Sequence, residues 1–213
     1  MHMYVKALMK VASRYSPSRV LSFDIVHVFK ALQLMVINGH VSRALLCKEL
    51  GLGEGSIKTL VKHLKMHKLI DTTKGGTSLT SKGKALCSEL LSSIPSETKV
   101  PQCSVALGKF NHAVLLKEFG FAVNSGIEQR DAAIKMGALG ATTLLFEDDK
   151  FVMPGQNHDS LRREPNIRRL LIEKLNPDDE DVIIIGSATD ERTAELAAKN
   201  AALLTVTSHE KHA

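Results

Sequence analysis

Between residues 41 and 84 the apolar positions change period twice. Ser42 is a good N-cap residue for a short helix that ends at Leu50, and Gly51 suits the left-handed position just beyond it. A second helix is expected from about Gly53 to Met66. Its apolar residues Ile57, Leu60, Val61 and Leu64 follow i, i+3, i+4, i+7 and form one stripe, while Gly55, Lys58, Thr59, Lys62 and Lys65 fall opposite. Leu69 and Ile70 then open a strand, Lys74-Gly75-Gly76 makes a tight turn, and residues 77–80 return. Upstream, Tyr4, Leu8, Val11 and Tyr15 recur at helical spacing among Lys6, Lys10 and Arg14, and Pro17 stops or redirects that helix. It reads equally as a dimerisation arm or as a helix packed on its own domain. A further helix is expected from a Ser22 cap to Asn38-Gly39, with Phe23, Val26, Phe29 and residues 31–35 as core. After the hairpin, Ser81 opens a helix through Leu86, Leu90 and Leu91 to Ile94.

The pattern then changes. Residues 92–102 hold two prolines and three serines without apolar periodicity, so a linker is placed at 95–103, between domains at 1–94 and 104–206. In the second domain, residues 105–108 and 113–116 are apolar runs of strand length. Ser125 and Glu128 have capping-box spacing for a helix that ends near Gly137. Residues 141–146 and 151–153 read as a hairpin turning at Asp148-Asp149. Ile167, Leu170, Leu171 and Leu175 stripe the next helix. Residues 181–186 are the strongest strand, a continuous apolar run of the kind buried on both faces. An Ala-rich helix at 189–201, a last strand at 203–206 and a tail at 207–213 complete the chain. The expected architecture is an α+β front domain followed by a small α/β domain.

Composition narrows the classes. Hydrophobic residues make up 44% and charged residues 24%, as in a soluble globular protein. Aromatics are only 4% and Trp is absent, which argues against binding single strands by base stacking. No apolar run reaches membrane-spanning length, and the N-terminus lacks a charged-then-apolar leader, so a cytoplasmic protein without a membrane partner is expected. Cys47, Cys87 and Cys103 are scattered and odd in number, which suggests reduced thiols. The net charge of +5 is unevenly distributed: residues 1–94 carry 14 Lys and Arg against 5 Asp and Glu, a local +9, and the remainder carries −4. Attraction to a polyanion therefore belongs to the front half.

Helix, turn, basic helix and hairpin, in that order, resemble the DNA-binding domain of prokaryotic winged-helix transcription regulators over residues 20–94. The resemblance makes 53–66 the recognition helix and 70–80 the wing, and Leu79-Thr80-Ser81-Lys82-Gly83 is similar to the "LTxxG" that follows the wing in that family. Gly53 and Gly55 depart from the Ser or Arg often found at the helix start, which thins base-reading chemistry there. The expected partner is double-stranded DNA and the expected state a homodimer. Lys58, Thr59 and Lys62, with Ser56 and His63 on the same helix, would meet the major groove, and Arg43 and Lys74 would meet phosphates. His63 and His67 are also i, i+4, a spacing that permits metal ligation, but no third ligand stands nearby, so no metal is expected.

In the back half, two places suit a small anionic metabolite. Gly186, Ser187 and Thr189 follow the apolar strand and open a helix, where they either hold an anion or simply supply an N-cap through Thr189 or Asp190. Gly126, Arg130 and Asp131 occupy the first turns of another helix, and Thr142 and Thr143 begin the next strand, one facing each side. Arg130 either grips a carboxylate or pairs with Glu128 or Asp131. Neither a GxGxxG nor a P-loop is present, no cofactor is expected, and no catalytic triad or paired-carboxylate arrangement is readable. The stretches 126–134, 140–144 and 152–155 resemble an archaeal domain family of unknown function found behind winged-helix domains. That resemblance covers about 103–206 and implies a regulator-like architecture without naming a ligand. The expectation is a two-domain transcription regulator, not an enzyme, with a sensing or assembly domain behind the DNA-binding one. The alternatives are an enzyme docked by its winged domain and a protein- or RNA-binding adaptor.

Overall fold

The structure is a computed structural model that describes residues 3–13 and 21–208. The expected roles of Arg14, Tyr15 and Pro17, and most of the tail, fall outside those residues. The chain divides into two compact units, residues 1–90 and 91–213.

The first unit is helical with one hairpin: α1 Met3–Val11, α2 Ile25–Asn38, α3 Arg43–Leu50, α4 Glu54–Met66, β1 Ile70–Thr73, β2 Gly76–Leu79 and α5 Ser81–Ser93. Ser42 caps α3, its Oγ accepting the Leu45 N–H at 3.1 Å, and Gly51 ends α3 in the left-handed region. The N-cap of α2 is Asp24 rather than the expected Ser22. His27 three residues on accepts the Asp24 N–H at its Nδ1 (3.0 Å), so an imidazole takes the place of the usual Glu of a capping box. Tyr4, Leu8 and Val11 are buried, and α1 packs on α2 and α4, so the apolar side of this helix is covered by its own domain. Ile57, Leu60 and Leu64 are fully buried and Val61 half-buried. Val41 and Thr77 exchange both backbone hydrogen bonds (2.8 and 2.9 Å), adding a one-residue third strand to the hairpin. Thr80 ties the hairpin to α5: its Oγ1 donates to Lys68 O at 2.8 Å and accepts the Gly83 N–H at 3.1 Å.

The second unit contains β3 Glu97–Val100, β4 Phe110–Leu116, a 3-10 turn at Gly120–Ala122, α6 Ile127–Lys135, β5 Gly140–Glu147, β6 Lys150–Val152, α7 Pro165–Leu175, β7 Val182–Ala188 and α8 Glu191–Ser208. The strands form one five-stranded sheet in the order β3-β4-β7-β5-β6, and every neighbouring pair is antiparallel. It is thus an α+β sheet rather than the parallel α/β arrangement that residues 181–186 suggest by themselves. β7 is central and all seven of its residues are buried, because helices cover both faces. Ile183 and Ile185 face α7 in a cluster with Leu115, Leu144, Phe151, Leu171 and Leu175. Gly186 and Ala188 face the other way, toward α8. At the start of β7, the carboxylate of the fully buried Asp181 accepts bonds from Lys117 Nζ (3.0 Å), Glu118 N–H (2.9 Å) and Asp178 N–H (2.8 Å). The β5–β6 hairpin turns at Asp148 and Asp149, both at positive φ (49° and 57°), as a two-residue primed turn requires.

Three expectations are corrected here. The segment expected as a linker holds β3, an edge strand whose polar Glu97 and Thr98 conceal its period. Residues 105–108 form a loop rather than a strand, with Val105 accepting from Thr142 Oγ1 at 2.6 Å. The last strand does not exist. Helix α8 continues through residue 208: Thr205 extends the buried face of Ala194, Ala198 and Ala201 at helical spacing, and Ala202, Leu203 and Val206 are buried around the rest of the same turns.

The approach of α8 to the sheet depends on Gly186. A Cβ there would lie 2.6 Å from Ala194 O and 2.8 Å from Ala198 N, both backbone atoms that cannot swing aside. Gly186→Ala is expected to destabilise the protein by about 1–3 kcal/mol or more through overpacking, read as a lower urea midpoint. An unchanged midpoint would show that α8 is free to shift.

Candidate functional site

The outward side of α4 is set by its buried side. Lys58, Lys62 and Lys65 project into solvent, opposite Ile57, Leu60 and Leu64. Arg43 and Lys58 line one groove of about 540 Å³ between α3 and α4, with Cys47, Glu54 and Gly55. Lys74 is exposed at the tip of the hairpin. No side chain caps the first turn of α4, and a Cβ at Gly53 or Gly55 would meet nothing within 4 Å. The start of the helix therefore leaves its N–H groups uncapped, with no side chain at Gly53 or Gly55 and the exposed Glu54 carboxylate in the same turn. Ser56 is half-buried. Thr59 is also half-buried, and its Oγ1 donates to Gly55 O at 3.0 Å, so the hydroxyl proton is engaged within the helix.

His63 does not belong to this face. It is 5% exposed, lies edge-on to Phe23 with ring centroids 5.5 Å apart, and its Nδ1 is 2.7 Å from Val11 O. A carbonyl only accepts, so that contact places a proton on Nδ1. The cause is α1, which crosses α4 on this side. Among the described residues there is no group of three or more His, Cys, Asp or Glu that could hold a metal ion.

In the second unit the structure separates the two expected anion sites. Gly186 and Ser187 lie within β7 rather than after it. Gly186 is closed over by α8. Ser187 is 1% exposed and, by strand alternation, faces away from α8 with Ile183 and Ile185. Asp190 caps α8, accepting the Thr193 N–H at 3.0 Å, and that bond holds its carboxyl below the usual carboxylate range. Thr189 is exposed beside it. Gly186 and Asp190 are accounted for by the strand and the cap, while the Ser187 hydroxyl is buried without a hydrogen-bond partner. Gly126, Arg130 and Thr142, by contrast, come together around one cavity of about 260 Å³ with Ser125, Thr143, Met153 and Pro154. Asp131 does not line this cavity but pairs with Arg130, Oδ1 accepting from Nη2 at 3.0 Å and from Nε at 3.2 Å.

One cluster was not legible from the sequence. Lys199 is 1% exposed, and its ammonium meets Glu97 Oε1 at 3.0 Å and Glu195 Oε1 at 2.6 Å. His112 Nε2 stands 3.8 Å from Glu97 Oε2, too far for a hydrogen bond. Burial alone would raise the Glu97 pKa, but His112 and Lys199 outweigh it and bring it down to about 2. Glu195 and Lys199 have the i, i+4 spacing of an ordinary solvated helix pair. Only β3 and β4, distant in sequence, turn that pair into a buried one.

These features define a two-domain mixed α and β protein, helical in its N-terminal part and sheet-containing in its C-terminal part. Residues 32–85 match the model of the PH0730-like, N-terminal domain, and residues 107–206 match a domain of unknown function, DUF4443. Among solved structures the chain is similar to the hypothetical protein PH0730 from Pyrococcus horikoshii OT3, at 26% identity and a TM-score of 0.72, over 88% of this chain and 95% of that one. No curated protein matches the sequence. Among the described residues no helix is long and apolar enough to cross a membrane.

The Glu97 cluster makes stability depend on acid. The carboxyl is held down to about 2 in the folded chain from an ordinary value of 4.5, so between those values the unfolded chain binds the extra proton. The contribution is present above about pH 4.5 and is lost as pH falls toward 2, by up to roughly 3 kcal/mol. Urea midpoints across this window are expected to fall more steeply for the native chain than for Glu97→Gln. Parallel curves would contradict the cluster.

Proposed function

We propose that the protein is a cytoplasmic DNA-binding transcription regulator. In this reading unit 1 is a winged helix-turn-helix domain, α4 is its recognition helix, and the β1–β2 hairpin is its wing. The observation that carries the reading is the row of exposed lysines on α4 beside the groove that Arg43 shares with Lys58; Lys74, exposed at the hairpin tip, adds a further cation in the same unit. The local charge of +9 in residues 1–94 supplies the attraction to a duplex. The bare first turn of α4 suits close approach of backbone N–H groups to phosphate. Lys58 and Lys62 would reach phosphates or guanine edges, with Thr59 offering its methyl and its hydroxyl lone pairs. The second unit acts as a sensing or assembly domain in a homodimer. A bound ligand would act by favouring one spacing of the two winged domains across successive half-sites.

The test is fluorescence anisotropy of the full chain with a labelled duplex. Lys58→Ala with Lys62→Ala is expected to weaken binding roughly ten-fold or more with an unchanged circular dichroism spectrum. Equal affinity would remove this face from the interface. Gly55→Ala is expected to raise the melting temperature, by up to about 1 kcal/mol of stability, because the added methyl meets nothing. The same methyl would weaken duplex binding by obstructing the backbone. A stabilised variant that binds DNA equally well would show that the bare turn is not a contact.

A further inference from the structure

The cavity at the start of α6 is assembled from three separated stretches of chain: Ser125, Gly126, Ile127 and Arg130; Ala141 to Thr143; and Met153, Pro154 and Gln156. We propose that it binds a small organic monocarboxylate, with the carboxylate at the N-terminus of α6 and a short aliphatic body along Ile127, Met153 and Pro154. The proposal deepens the reading of the second unit as a sensing domain.

The head of the site rests on three observations. Helix α6 starts from Gly126 in the left-handed region (φ 75°), and no side chain properly caps it. The one near approach is a long contact of 3.4 Å from Ile127 N–H to Ser125 Oγ. Its first N–H groups and the positive end of its dipole are thus open to an anion. Beneath this turn lies Thr143, 4% exposed, whose Oγ1 is buried and has no hydrogen-bond partner. A Cβ at Gly126 would lie 3.3 Å from both Oγ1 and Cβ of Thr143, so the hydroxyl lies against the helix start and any side chain at Gly126 would press on it. A buried hydroxyl without a partner costs about 1–3 kcal/mol, which a carboxylate oxygen would recover by accepting its proton. Arg130, one turn along, lines the same cavity and holds a second donor set. Its present partner is the adjacent Asp131, and both side chains are about half exposed. A surface pair of that kind contributes little, so its fork is available to a ligand.

The body of the ligand follows from the walls. Ile127 is 50% exposed although it is apolar and sits at the mouth of the cavity beside Met153 and Pro154, so an aliphatic chain laid there removes hydrocarbon from water on both sides. The volume of about 260 Å³ lies below the roughly 300–1,000 Å³ of pockets for drug-sized molecules, which limits the ligand to a small metabolite. Asp131 beside Arg130 offsets its charge, which favours a monoanion over a phosphate dianion.

The experiment is a ¹⁵N-HSQC titration of the full chain with four probes: isovalerate, acetate, 3-methylbutan-1-ol and inorganic phosphate. Isovalerate is expected to give saturable shifts at the amides of Gly126, Glu128 and Thr143. Acetate should give the same shifts at higher concentration, and the alcohol and phosphate none. Arg130→Met is expected to weaken isovalerate about ten-fold, and Thr143→Val several-fold. Arg130 is on the surface, so its variant folds regardless of what Thr143→Val does. Absence of saturable shifts at these amides, shifts indifferent to Arg130→Met, or tighter binding of phosphate or the alcohol would each overturn the proposal. No nucleic acid enters this titration, so its failure and a failure of duplex binding are separate results.

Discussion

Burial of Ile57, Leu60 and Leu64 fixes the orientation of α4, and with it everything the first unit presents to a partner. Each side chain contributes about 1.5–3 kcal/mol when removed from water. Repulsion among Lys58, Lys62 and Lys65, which are neighbours on the opposite side, costs only a few tenths of a kcal/mol per pair. Burial wins by an order of magnitude, so the lysines are held outward and together. Helix α1 adds a second constraint on the same element. By packing across α4 and taking a hydrogen bond from His63, it closes one flank of the helix and leaves a single outward strip.

The second unit is governed by a different limit, the distance between a strand and a helix. The absence of a side chain at Gly186 lets α8 lie against the middle of β7, and the small residues Ala194 and Ala198 receive it. That close packing carries Lys199 inward, where two carboxylates and a nearby imidazole gather around it. The cluster and the tight contact lie on the same helix, since Lys199 directly follows Ala198, whose N–H faces Gly186. On the far side of β5, α6 begins with its first turn open above Thr143, and the cavity there brings together residues that lie apart in sequence.

Where structure follows local pattern, the sequence was legible. The order of helices and hairpin in the first unit, the caps at Ser42 and Gly51, the central burial of residues 182–185 and the Asp148-Asp149 turn all rest on periods and turn chemistry within a few residues. What was missed depends on distant neighbours. β3 is an edge strand whose polar residues are matched by α8 and β4, so its own composition resembles a linker. Residues 203–206 are too short a run to separate strand from helix, and only the sheet beneath α8 decides. His63 sits on the border of the apolar stripe, and its burial comes from α1, more than fifty residues away. For the same reason Gly126, Arg130 and Thr142 were visible as candidates while Thr143 was not singled out as the one buried without a partner beneath the helix, since an unpartnered hydroxyl is a property of packing.

The central claim is that the strip on α4, with Arg43 and the hairpin tip, meets duplex phosphates. The most direct measurement is the salt dependence of duplex binding by the full chain. Contacts from Arg43, Lys58, Lys62 and Lys74 predict a slope of log Kobs against log salt of roughly −3.6 for each DNA-binding domain engaged, doubling in a dimer that occupies two half-sites. A slope near zero, or no duplex binding even at low salt, would contradict it.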